Sequence, residues 1–98
     1  MADYVVPPTL APLLGLSPPT LRRTYEDARS YELWALTATA PDRRTPAERE
    51  QHEALLTADR TRGGFLRWSP ANAARVLRAF GKPVPAEWTA SPAGPEAT

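Results

Sequence analysis

Apolar residues in this chain come in short bursts separated by proline, glycine and hydroxyl residues. Each burst has the spacing of a helix face or of a brief strand. Tyr4-Val5-Val6 is an extended lead-in stopped by Pro7-Pro8. Thr9 predicts the cap of a short helix carrying Leu10, Ala11, Leu13 and Leu14, with Pro12 in its first turn, where a missing N–H costs little. Gly15 ends that helix, since it accepts the positive φ of a helix terminus. Ser17 is a second cap with Pro18 at the first helical position, so a helix runs from Pro18 through Leu21, Tyr25 and Ala28. Nothing in 20–39 breaks it. One long helix through Leu36 and a second helix after a turn near Ser30 both fit the pattern.

Ala40-Pro41-Asp42 is a break, and Thr45-Pro46-Ala47-Glu48 has the form of a capping box. A helix therefore starts there and runs to about Ala58, polar over most of its surface and packed by its C-terminal half through Ala54, Leu55, Leu56 and Ala58. Gly63-Gly64 predicts a tight reversal and Phe65-Leu66-Arg67-Trp68 a short strand. Ser69-Pro70 opens a further helix, in which Ala73, Val76, Leu77 and Phe80 form one apolar stripe that Gly81 closes. Trp88 is expected to fold back on the core, with Trp34 and Trp68 in the core or at the base of the hairpin. The predicted fold class is mostly α, a helix-turn-helix with a short β-hairpin wing and additional helices. It forms a single domain over 1–89 with an inserted helix around 45–58, and 90–98 is expected to be a disordered tail.

The length of 98 residues allows one domain rather than two. With no cysteine there is no thiolate nucleophile and no common structural zinc site, and the chain suits a reducing cytosol. Met1 to Leu10 shows no secretory signal pattern, and no apolar run is long enough to span a membrane. The expected location is cytoplasmic, on the nucleoid. His52 is the sole histidine and stands between acidic neighbours without a second nitrogen or sulfur ligand, so no metal is expected. Gly63-Gly64 lacks the residues that complete a phosphate loop. No catalytic constellation and no cofactor site is expected, and the chain reads as a non-enzyme.

The net charge of +1 conceals a division. Residues 26–59 hold eight acids against four bases, whereas residues 60–86 hold six bases and no acid. Such a division turns one region toward a polyanion and another away from it.

Two helices joined through Gly15-Leu16-Ser17 must cross sharply, with Leu10, Leu13, Leu14, Leu16 and Leu21 filling the angle. That geometry exposes the start of the second helix, where Ser17, Pro19, Thr20, Arg22 and Arg23 lie. Hydroxyl and guanidinium groups at a helix N-terminus suit phosphate contact and base-edge reading in a major groove. An ordinary helical hairpin is the other reading of the same turn.

The run Leu10-Ala11 … Leu13-Leu14-Gly15-Leu16-Ser17 … Thr20-Leu21-Arg22-Arg23 resembles the helix-turn-helix of the MerR and phage-excisionase superfamily. Arg62-Gly63-Gly64-Phe65-Leu66-Arg67-Trp68-Ser69-Pro70 is similar to the wing of that superfamily. The resemblance covers about residues 5–29 and 60–80. It implies a bacterial or phage DNA-binding protein with a winged helix fold. Thr20, Arg22 and Arg23 would lie on the recognition helix, and Arg60, Arg62 and Arg67 would be wing contacts to the DNA backbone or minor groove. In the family the wing follows the recognition helix almost directly, whereas here residues 30–59 intervene.

The expected partner is double-stranded DNA, bound for transcription regulation or as an excision or partition accessory factor. A homodimer or cooperative oligomer would extend the few base pairs that one module reads. The competing function is a small protein-interaction module, a phage- or plasmid-type inhibitor or adaptor, using the acidic 42–59 helix or the Tyr31–Trp34 region.

Overall fold

The computed structural model describes residues 4–38 and 41–90. It is mostly helical, with α1 at Pro7–Leu14, α2 at Pro18–Thr37, α3 at Pro46–Leu55, α4 at Pro70–Ala79 and α5 at Ala86–Ala90. A small antiparallel hairpin pairs β1, Asp59–Arg60, with β2, Leu66–Arg67.

Three of the helix starts follow directly from local chemistry. Ser17, Thr45 and Ser69 each accept from the backbone N–H three residues on, and each is followed by proline in the first turn. Thr45 and Glu48 complete the capping box reciprocally. The start of α1 differs from expectation. It begins at Pro7, with Val6 at the cap position and no side-chain cap, so Pro12 lies inside the helix and not in its first turn. Adjacent prolines at the start need no partners for their nitrogens, and this replaces the cap that Thr9 was expected to give.

Gly15, at φ 75°, terminates α1. Its N–H donates to the Pro12 carbonyl at 3.0 Å and the Leu16 N–H reaches the Ala11 carbonyl at 2.9 Å, the bond pair of a left-handed helix terminus. The chain then turns into α2, which is one unbroken helix through Thr37. Its first half buries Leu21, Tyr25 and Ala28. Beyond Ala28 no residue of α2 is fully buried.

Leu10, Ala11 and Leu14 of α1 meet α2 and α4, while α3 lies against α2 and α4. Leu13 departs from expectation and faces outward, because the burial stripe of α1 runs through Leu10, Ala11 and Leu14. Trp68 is fully enclosed, and its indole Nε1 donates to the Leu55 carbonyl at 3.1 Å. Trp34, expected in the core, is 46% exposed. Phe80 and Trp88 are half-buried against the core. The expected tail begins at Ala90, which ends α5; residues 91–98 lie outside the described residues.

The lead-in has a structural role that its sequence does not announce. Val5 pairs with Trp68 through two antiparallel backbone bonds, Val5 N–H to Trp68 O at 2.7 Å and Trp68 N–H to Val5 O at 2.8 Å. The hairpin is thereby fastened to the base of α1.

Candidate nucleic-acid interface

The first turn of α2 stands clear of the core. Pro18, Pro19, Arg22 and Arg23 are exposed and Thr20 is half-buried. The Ser17 hydroxyl accepts from the Thr20 N–H at 3.3 Å and donates to Thr20 Oγ1 at 2.8 Å, so both hydroxyls fix the turn while remaining at the surface.

Although residues 30–59 separate the two in sequence, the hairpin turn lies beside this helix start. Arg22 Nη2 donates to the Gly64 carbonyl at 3.2 Å. Gly64 has φ 83°, which the reversal requires, and its N–H closes the turn on the Thr61 carbonyl at 2.9 Å. The insertion leaves this arrangement intact, its helix α3 packing against α4 and α2.

The cations expected to meet DNA divide into two groups. Arg23 and Arg62 are exposed and, among the described residues, have no side-chain ion pair or hydrogen bond. Arg22 uses one donor on Gly64 and keeps the rest of its guanidinium free. Arg60 and Arg67 are engaged within the fold. Arg60 pairs with Glu26 and sits 5.7 Å from the centre of the Tyr25 ring. Arg67 stacks over Tyr4 at 4.0 Å, with Asp59 3.9 Å from its Nε. That Nε is buried and makes no hydrogen bond among the described residues.

Three of the six bases of the basic stretch, Arg60, Arg67 and Arg75, pair with acids of the acidic one in three dimensions. Arg75, from the basic stretch, reaches Glu50 through Nε at 2.8 Å and Nη2 at 3.0 Å, with Glu53 nearby at 3.6 Å. Hydrogen bonding to Arg75 holds the Glu50 carboxyl below its ordinary range, outweighing desolvation, and raises Arg75 in turn. Arg44, with a side chain only 8% exposed, joins Asp42, Glu32 and His52, and lies 4.6 Å from the Tyr31 ring centre. Its side-chain hydrogen bonds, with the bond from its backbone N–H, hold Asp42 far below the usual carboxylate range. With these acids occupied, Arg22, Arg23, Arg43, Arg62, Arg78 and Lys82 are the cations without an acidic partner among the described residues.

Sequence reasoning missed an apolar groove at this face. Pro7, Pro8, Pro18, Pro19, Phe65 and Leu66 line a volume of about 320 Å³, with Arg22 at its border. The prolines were legible as helix starters, but nothing local signals that two such starts lie side by side. Arg44 was also missed; the Pro41-Asp42 break carried a partial signal, since Asp42 accepts from a backbone N–H two residues on at 2.9 Å. Searches against family models, curated proteins and solved structures find no match to this chain.

Proposed function

We propose that this chain binds double-stranded DNA, with the first turn of α2 in the major groove and the β1–β2 hairpin acting as a wing against the backbone. The observation that carries the reading is the Arg22–Gly64 contact. It sets the hairpin turn beside an exposed helix start that also presents Arg23, while Arg62 extends from the hairpin. This is the spatial relation that a MerR- or excisionase-like winged helix would use, and it favours a role as transcription regulator or as excision or partition accessory factor. Arg22 and Arg23 read base edges; Arg62 contacts phosphate; Arg67, stacked on Tyr4, supports the wing and lends charge to it.

Salt and substitution test the reading together. Binding to a duplex selected from random DNA should weaken steeply with salt. Arg22→Ala or Arg23→Ala should erase about 1–3 kcal/mol of discrimination between sites. Arg62→Ala should weaken all duplexes alike and lower the salt slope by about 1. Absence of any duplex binding at low salt overturns the proposal.

A second reading has its own observation. Leu33, Trp34 and Leu36 are exposed on the half of α2 that stands beyond the core. This favours a protein contact there, by a second copy on adjacent half-sites or by a target of an interaction module. The acidic 42–59 segment is less suited to that role, because Asp42, Glu50 and Glu53 face arginines of the chain itself. A partner retained by the Arg22→Ala and Arg23→Ala variants and lost with Trp34→Ser would favour the interaction module.

A further inference from the structure

The groove beside Arg22 is unlike the remainder of the proposed DNA face, because its walls carry almost no hydrogen-bonding capacity. Four prolines contribute no N–H, and Phe65 and Leu66 supply the other side. The ring of Phe65 is seated rather than loose. It lies against Gly63, where an added Cβ would stand 3.1 Å from two ring carbons, so a side chain there would push the ring outward by a few tenths of an ångström. Phe65 is nonetheless 68% exposed, with none of the described residues covering its outer face.

Away from Arg22, which also lines it, the recess offers phosphate no donor to offset its desolvation. In a major groove the base edges present donors and acceptors, with one apolar exception, the C5-methyl group of thymine. Resting on the DNA reading above, we infer that the groove receives thymine methyl groups next to the base contacted by Arg22, and that Phe65 and Pro19 are specificity-determining residues. Arg22 at the border, with Arg23 and Arg62 exposed nearby, holds the polyanion over the recess.

Replacing thymine by deoxyuridine removes that methyl and nothing else. The duplex of highest affinity recovered from a random library is remade with deoxyuridine at one thymine at a time, and dissociation constants are compared by fluorescence anisotropy. One or two positions should lose about fourfold in affinity, the worth of one buried methyl-sized group. That ratio should fall toward one in Phe65→Ala and in Pro19→Ala, both surface changes whose folding is checked by thermal melting. A ratio of one at every thymine in the wild type, or a selected site without thymine, overturns the inference while leaving DNA binding standing. A ratio that survives unchanged in both variants places the methyl elsewhere and overturns it as well. Failure to bind any duplex instead overturns the DNA reading on which it rests.

Discussion

Arg60 on β1 donates to the carboxylate of Glu26 in the middle of α2, tying the hairpin to that helix. The same guanidinium is 5.7 Å from the Tyr25 ring centre. Both partners are partly exposed, so the pair contributes about 0–1 kcal/mol to stability. Its consequence is positional: the pair holds the hairpin to α2.

Arg60→Gln and Glu26→Gln should therefore behave alike. Each should lower the denaturation midpoint slightly, and the double variant should lose no more than about 0.5 kcal/mol beyond either single change. In the proposed DNA complex, Arg60→Gln should leave the salt slope of binding unaltered. If Arg60 contacted phosphate, its loss would flatten that slope and Glu26→Gln would strengthen binding.

Gly15 isolates a backbone effect. Among the described residues, no heavy atom apart from its two chain neighbours lies within 4 Å of where its Cβ would be, so an alanine there meets no steric obstacle beyond its own φ of 75°. Gly15→Ala should cost about 1–2 kcal/mol, the penalty of the left-handed region for an L-residue, and Gly15→Asn less. Urea titration of the three proteins checks the order.

Trp68 should be the most sensitive position in the core. Trp68→Ala removes a fully buried indole and its bond to Leu55, and should cost about 3–5 kcal/mol. Against a typical total of about 5–15 kcal/mol that is a large share. Trp68→Phe should fall between, keeping the ring and losing the hydrogen bond. Chemical denaturation followed by circular dichroism measures both.

Local chemistry made much of this fold legible. Ser17, Thr45 and Ser69, each before a proline, announced three helix starts, because a cap and its target lie within one turn. The apolar stripe of α4 was equally plain, and Ala73, Val76 and Leu77 are buried as its period requires. What escaped was non-local. Val5 bonds to Trp68, Arg60 to Glu26 and Arg75 to Glu50, and no short window contains both members of any of these pairs. The same reason hid the groove, which exists only because α1 and α2 bring their first turns together beside Phe65. Trp34 misled in the opposite sense, being an apolar residue on a helix that outruns its core.

Acid should loosen the contacts between α3 and its neighbours. Asp42 and Glu50 have folded-state values below their ordinary 3.8 and 4.5, so each contributes stability that is complete above those values. That stability is lost as pH falls from there through the lower folded-state values. Melting temperature should accordingly hold steady above pH about 5 and drop below pH about 4. Arg75→Gln should remove the part of the decline that belongs to Glu50, which a pH series on both proteins reveals.

The Val5–Trp68 bonds bear on the order in which the molecule can assemble during synthesis. A ribosome that has released α1 and α2 has not yet produced the strand against which the lead-in is held. Until Trp68 emerges, Leu10, Leu14 and Leu21 lack much of the cover that the finished core gives them, so the nascent helical pair is the stage most exposed to wrong association. Closure waits on a late residue, one that follows α1, α2 and α3 in the chain.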